Sequence, residues 1–368
     1  IVGVSTFSAT SFFVPPKGNT AERPSECEPG SIRFNTDTAN LEYFRGKTLG
    51  WSQFELVTPN LGGGTGSNAG VGARAILPGG MSSPGRSASI SFLTISTLGN
   101  TQDFGDLAAG QNANAGASSR TRGLSVGGSL SSGRTNTIEF FTFASLGDAA
   151  NFGDLSYDVA ELGTTSNNVR GIAAGGSPGP SNVMEYVTIA QTGNTVDYGD
   201  LAVAREGLAQ GCISNGTRGI FSGGNSPTMI NNIEFVTIMS TGNSSDFGDM
   251  VATMSRQANC CSSTRGLIGG GMNPSITNTI EFITIATTGN SADFGDLTST
   301  RYNHGAASSS TRGVFAGGQP GPSAVNVIDF VEIATTGNAV DFGDTDVAGA
   351  TNGVIRPTGT SSNGHGGL

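Results

Sequence analysis

Six near-copies of one unit fill residues 71–344, and they constrain the fold more than any other feature of the chain. An Asp-Phe-Gly-Asp signature, or a close variant, ends at Asp106, Asp154, Asp200, Asp249, Asp296 and Asp344. A second signature, Thr-Arg-Gly or a relative, places an arginine at Arg74, Arg122, Arg170, Arg218, Arg265 and Arg312. The two markers run in step, at spacings of 46–49 and 47–48 residues. A unit of that length without helical periodicity is a small sheet that cannot bury its faces alone, and a radial array of such sheets is the expected solution.

The sixth unit serves as a specimen. Residues 301–308 form a small-residue strand, 312–318 an apolar strand ending in a double glycine, and 319–324 a variable loop. Residues 326–334 make a long β-rich strand, and 341–344 a fourth. In residues 279–285 (Thr-Ile-Glu-Phe-Ile-Thr-Ile) apolar side chains fall on both faces, as a sheet sandwiched between two neighbours requires. First strands such as Gly305-Ala306-Ala307-Ser308 carry the small side chains that fit where strands converge on an axis. The expected fold class is all-β: a six-bladed β-propeller over 62–368 with a small N-terminal β module over 1–61. The first unit has only a short, glycine-rich lead-in, so the segment beyond Asp344 (353–358, then 361–367) is expected to supply its innermost strand. In the N-terminal module, residues 31–35 and 41–44 read as a hairpin and Trp51 opens a third short strand. About 60 residues is too little to fold securely alone, so this module is expected to serve attachment or oligomerisation.

Composition narrows the function classes. Charged residues are only 12% of the chain, so Ser, Thr and Asn must supply the surface, which suits an extracellular or virion setting. The net charge is −10, and the two lysines, Lys17 and Lys47, lie near the start. Phosphate binding needs clustered Lys and Arg, so nucleic acid is not an expected partner. No run of about 18 apolar residues is present, which argues against membrane insertion. The opening Ile1-Val2-Gly3 lacks the basic start of a signal peptide and suggests a processed chain or one beginning inside a longer product. Cys27, Cys212, Cys260 and Cys261 read as small buried apolar residues, with a Cys212–Cys260 link left open and no zinc spacing among them.

The double-glycine strands preceded by runs such as Arg301-Tyr302-Asn303-His304-Gly305 resemble kelch repeats, with weak Tyr and Trp positions. The pattern Ile280-Glu281-Phe282-Ile283-Thr284-Ile285-Ala286-Thr287-Thr288-Gly289-Asn290, followed by Asp293-Phe294-Gly295-Asp296, resembles repeats in structural proteins of marine cyanophages. Gly30-Ser31-Ile32-Arg33-Phe34-Asn35-Thr36-Asp37-Thr38, with Leu41-Glu42-Tyr43 and Trp51, is similar to a segment recurring in phage tail-fibre proteins. The resemblance implies a virion structural or fibre-associated protein.

One arginine and one aspartate at fixed places in every unit invite two readings. Calcium could sit on the Asp-Phe-Gly-Asp segments, with Asn100, Asp103 and Asp106 as ligands in the first unit, but the spacing is not an EF-hand loop and no bidentate Glu closes it. The structural reading has each aspartate cap turn amides and pair with the arginine of an adjacent strand or blade, a sixfold staple with Phe104, Phe152, Tyr198, Phe247, Phe294 and Phe342 packed between blades. Apart from that calcium reading no cofactor is expected. Asp-Phe-Gly here lacks the catalytic loop and nucleotide lysine of a kinase, and the glycine pairs lack a following Gly-Lys-Ser/Thr. His304 and His365 have no partner set for a triad or metal, and neither a sialidase nor a galactose-oxidase site is legible, so no enzyme is expected. Loops after the double glycine differ most among units and emerge on one rim. Ser83, Arg86, Ser132, Arg134, Pro178, Ser181, Pro227, Asn231, Asn273, Ser275, Pro320 and Ser323 are the candidate binding residues there. The expected function is a non-enzymatic phage virion structural protein, a tail-fibre or appendage component on the particle surface. Its partners would be other phage subunits and copies of itself, with a trimer as the expected assembly, and the alternative is an adhesin reading a host-surface glycan.

Overall fold

Small inner strands, apolar double-glycine strands and the Asp-Phe-Gly-Asp strands all form, and each repeat becomes one antiparallel sheet. The computed structural model describes residues 15–38, 40–53, 72–81, 85–346 and 359–368. The chain divides into two compact units, Ile1–Thr58 and Pro59–Leu368.

In the first unit, Ile32–Asn35 and Asn40–Phe44 form the hairpin and Trp51–Gln53 extends it antiparallel. A two-residue strand, Lys17–Gly18, joins the other edge in parallel. Apolar burial is thin: Phe44 is the one buried hydrophobic side chain among the described residues of this unit. A buried carboxylate takes the centre instead. Glu42 accepts from Arg23 at 2.7 Å and Asn35 at 3.1 Å, and Arg33 lies 3.4 Å away.

The described residues of the second unit form six sheets in chain order. The first is Ser361–Ser362, Arg74–Met81, Arg86–Thr94 and Gln102–Asp106. The second is Ala115–Ser118, Arg122–Leu130, Gly133–Thr142 and Ala150–Asp154; the third is Gly163–Ser166, Arg170–Ala174, Ser181–Thr188 and Val196–Arg205. The fourth is Ile213–Ser214, Arg218–Ser222, Asn232–Thr237 and Ser245–Asp249. The fifth, Ala258–Cys261, Arg265–Asn273, Ser275–Thr284 and Ala292–Asp296, gains Gln210–Gly211 as a parallel fifth strand. The sixth is Gly305–Ser308, Arg312–Ala316, Val327–Glu332 and Val340–Asp344. The C-terminal pair Ser361–Ser362 takes the innermost place beside Ile76 and Ala75, while the expected strand segment 353–358 lies outside the described residues. This is an all-β architecture of four- and five-stranded sheets, compatible with a β-propeller. The expected strand over 301–308 is shorter than its pattern: it starts at Gly305, because Tyr302 bridges to Gln319 and Asn303 takes a left-handed φ of +49°.

Apolar burial explains how the sheets meet. The described residues form six hydrophobic clusters, each joining one sheet to the next: Phe104 with Phe141 and Phe143, Phe152 with Val187 and Ile189, and Tyr198 with Val236 and Ile238. Phe247 packs with Ile283 and Ile285, Phe294 with Val331 and Ile333, and Phe342 returns to Leu93 and Ile95 of the first sheet. Both faces of every sheet are thereby covered, the condition that apolar residues on both sides of a strand impose.

Candidate functional site

The six repeat arginines do fasten neighbouring sheets, but their partner is a carbonyl oxygen. Each stacks its guanidinium 4.2–5.0 Å over an aromatic ring of its own sheet, from Arg74 over Phe92 to Arg312 over Phe330. Each then donates Nη1 to the next sheet at 2.6–3.3 Å: Arg74 to Phe143, Arg122 to Ile189, Arg170 to Ile238, Arg218 to Ile285, Arg265 to Ile333, and Arg312 to Ile95. Among the described residues no ion pair joins these arginines to Asp106, Asp154, Asp200, Asp249, Asp296 or Asp344, so the expected Arg–Asp staple is corrected. Replacing Arg218 by alanine removes a charge-assisted hydrogen bond and a stacked cation. It should cost about 2–3 kcal/mol in chemical denaturation, while Arg120→Ala, on the exposed turn that precedes Arg122, should cost about nothing.

The aspartates contribute through their backbone. Amides of Asp106, Asp154, Asp200, Asp249, Asp296 and Asp344 donate to Oδ1 of Asp148, Asn194, Asn243, Asn290, Asn338 and Asn100 of the next sheet, at 3.0–3.1 Å. The glycine just before each of those Asx residues donates its amide to the carbonyl of the buried aromatic at 2.7–3.0 Å, so each outer strand gains a neighbour. Gly343 shows why Asp-Phe-Gly needs glycine, since a Cβ there would lie 2.6 Å from the Gly99 carbonyl oxygen. Asn100, a candidate calcium ligand, thus serves Asp344 and not Asp103 or Asp106 of its own unit. Tyr198, the one tyrosine in the series, adds hydroxyl bonds to the Thr237 and Ser240 carbonyls, and burial pushes its phenol up to about 12.

A second fixed set was missed in the sequence. Glu139, Glu185, Glu234, Glu281 and Asp329 sit in the third strand of their sheets, buried among apolar neighbours. Each accepts the amide two residues past the previous sheet's Asp-Phe-Gly-Asp: Ala108, Ser156, Ala202, Val251 and Thr298. The signal was an acid recurring inside an Ile-Glu-Phe run, where alternation alone places no charge. Burial raises the Glu139 carboxyl, partly offset by the Ala108 amide. Arg205 and Arg301, both fully buried, ion-pair with Glu234 and Asp329.

The rim loops lie where the double glycines send them. Gly79 and Gly80 have φ of +68° and +124°, and a Cβ on Gly79 would lie 2.7 Å from the Gln111 carbonyl oxygen, so the pair is both a left-handed turn and a close approach. Neighbouring loops touch: Arg86 Nε donates to Asn112 at 2.8 Å, and Arg134 Nη2 to Ser177 at 2.9 Å. Ser181 shares a hydrogen bond with Tyr157, Asn231 donates to the Met250 carbonyl, and Asn273 accepts from Thr253. Ser132, Pro178, Pro227, Ser275, Pro320 and Ser323 are exposed, and Ser83 lies outside the described residues. Inside these loops runs an inner turn that sequence reasoning missed. Ala113, Glu161, Arg256 and Asn303 adopt φ of +49° to +56°, and amides of Glu161, Gly207, Arg256 and Asn303 donate to the preceding residue's carbonyl, from Ala113 round to Arg256. Arg256 reaches past Gly207 to ion-pair with Glu161 at 2.9 Å. Left-handed non-glycine residues persist only where their surroundings hold them, and they concentrate at binding sites.

At the centre, the inner strands join through one residue each. Hydroxyls of Ser118, Ser214, Ser308 and Ser362 donate to the carbonyls of Ser362, Ser166, Cys261 and Ser308 at 2.6–2.8 Å. The C-terminal tail lies against this ring, with His365 buried beside Ser166, Cys212 and Ser214. The two histidines are not neighbours: His304 packs against Gly270, Gly318 and Phe315, and burial pulls it well below its ordinary value. All four cysteines are free, which removes the Cys212–Cys260 link; Cys260 and Cys261 are buried, whereas Cys212 is only partly so.

No protein family matches this chain, and no curated protein matches it.

Proposed function

We propose that the six sheets close a six-bladed, kelch-like β-propeller acting as a non-enzymatic structural component of a phage virion, in a tail fibre or appendage. One observation carries the propeller reading: three sheet-to-sheet contact types, the apolar cluster, the arginine and the Asx cap, recur six times and return from the sixth sheet to the first. The repeat-fixed side chains are committed to fastening sheets together, and the residues that vary among repeats face outward on one rim. That division suits a rigid display scaffold. The virion assignment rests on the resemblance of the Ile-Glu-Phe and Asp-Phe-Gly-Asp repeats to cyanophage structural proteins. The N-terminal unit, with a single buried hydrophobic side chain among its described residues, suits an attachment or oligomerisation role and association with other subunits or two further copies.

A second reading, a module binding a host-surface glycan, is favoured by the left-handed residues and the Glu161–Arg256 pair inside the variable rim. Electron microscopy of purified particles, with antibody against this chain, tests the first: stoichiometric density on a fibre or appendage is expected, and particles without it refute the assignment. Arraying the full chain on host surface glycans tests the second. Binding should be lost in Arg256→Ala with the fold unchanged.

A further inference from the structure

We propose that Cys212 and His365 form a thiol–imidazole site at the centre of the sheets whose substrate is a small peroxide, with Cys212 as the residue oxidised. The fold sets Cys212 apart from its counterparts. The four-residue inner strands of the second, third, fifth and sixth sheets are continuous, but that of the fourth repeat breaks: Gln210–Gly211 pairs with the fifth sheet and Ile213–Ser214 with the fourth. Cys212 is the residue at the break, following Gly211 at φ +97°. Freed from the ladder, its sulfur is ringed by polar groups: the Ser166 amide donates to Sγ at 3.3 Å, the Ser214 hydroxyl is at 3.5 Å, the Thr165 and Ser166 hydroxyls are at 3.8 Å, and His365 Nδ1 and the Ser166 carbonyl are at 3.9 Å. The ionisable side chains on the elements packed around it are His365 of the tail and Cys260 and Cys261 of the fifth sheet.

A cavity of about 10 Å³, room for one very small molecule, is lined by Cys212, His365, Asn259 and Ser361. Asn259 Oδ1 and Ser361 Oγ are buried there without a hydrogen-bond partner, so two polar atoms await a small polar occupant. Burial opposes a charged thiol, but the adjacent imidazole and the donors around Sγ outweigh it. The Cys212 thiol is held down to about 6, and the Cys212 sulfur beside His365 holds that imidazole up to about 10. A thiolate facing an imidazolium is the reactive form.

The chemistry closes within these groups and the peroxide. The thiolate attacks one peroxide oxygen; an S–O bond forms as the O–O bond breaks, and sulfur loses two electrons to become a sulfenic acid. The other oxygen leaves as hydroxide, and the imidazolium proton of His365 turns it to water. At pH 7 a thiol titrating at 6 has about thirty times the thiolate fraction of an ordinary cysteine.

The test exposes the full chain to hydrogen peroxide, quenches it in denaturant with a sulfenic-acid trap, and follows each cysteine by peptide mass. Cys212 should be trapped about tenfold faster than the partly exposed Cys27, and its rate should rise with pH around 6. His365→Asn should slow the reaction about tenfold and move that inflection upward. Trapping of Cys212 no faster than Cys27, or an inflection at 8.5 or above in the unaltered protein, overturns the proposal whether or not the variant folds. An unchanged rate in a folded His365→Asn protein removes the imidazole from it.

Discussion

Asp329→Ala should be among the most damaging single substitutions in the chain, at about 3–5 kcal/mol, because it strands a charge that cannot reach water. Asp329 and Arg301 are both fully buried and joined by an ion pair, and Asp329 also accepts the amide and hydroxyl of Thr298 at 3.0 and 2.7 Å. Alanine leaves the guanidinium with the Val327 carbonyl as its remaining hydrogen-bond partner and Thr298 with none for two donors. Removing the other partner should hurt less. The fifth unit shows why: Met254 occupies the place of Arg301, as their carbonyls accepting from Gly224 and Gly271 establish, yet Glu281 opposite it is content with the Val251 amide and Ser291 hydroxyl. Arg301→Met therefore copies an arrangement the fold already contains and should cost about 1–2 kcal/mol, since the Asp329 carboxylate keeps Thr298. The double change Arg301→Met with Asp329→Leu should recover most of the loss from Asp329→Ala. Urea unfolding of the three variants checks the order; an Arg301→Met loss exceeding that of Asp329→Ala would contradict it.

Sequence periodicity revealed what six copies share and hid what a partner without a side chain supplies. The small inner strands, the double-glycine strand and the buried aromatic of Asp-Phe-Gly-Asp were legible because each recurs at one spacing and each has a side-chain reason. The arginine's fixed place was legible too. Its acceptor was not, because a carbonyl such as that of Ile285 leaves no mark on residue identity, and Asp249 looked like the natural counter-ion. The capping atom was misassigned for a related reason. Asn290 and Asp249 recur with equal regularity, and only the direction of the turn decides which offers a side chain and which an amide. Glu281 was visible but passed over, since an acid within an apolar strand reads as a solvent-facing position until the loop that covers it is known. The break at Cys212 occurs in one repeat and the buried arginine–carboxylate pairs, Arg205–Glu234 and Arg301–Asp329, in two, so neither carries a sixfold signal. The parallel Lys17–Gly18 strand, two residues long, is below any pattern.

Deleting residues 359–368 should abolish cooperative folding of the repeat unit or bring it to the edge of stability. The segment is short, but it supplies the only inner strand the first sheet has among the described residues. Its loss removes the Ser362 hydroxyl bond to Ser308 at 2.6 Å, the Ser118 bond to the Ser362 carbonyl at 2.8 Å, and the Arg74 amide bond to Asn363 at 2.8 Å. The two Thr360 contacts to Ala306, at 3.0 and 2.6 Å, go as well. Five bonds at about 1 kcal/mol each come to about 5 kcal/mol, the scale of a whole domain's stability, and Ala75 and Ile76 lose their cover in addition. A shorter deletion, 364–368, separates the strand from the tail beyond it. It keeps Ser361–Ser362 and Asn363 and removes His365, so it should lower the melting temperature by only a few degrees. Calorimetry on the two truncations distinguishes them: a sharp transition surviving loss of 359–368 would mean that the first sheet holds without its last strand. A circular permutant that joins the ends through a long flexible linker and opens the exposed turn at Ser131 and Ser132 keeps every one of these contacts and should melt close to the parent. Closure would then depend on the strand itself and not on where the chain happens to end.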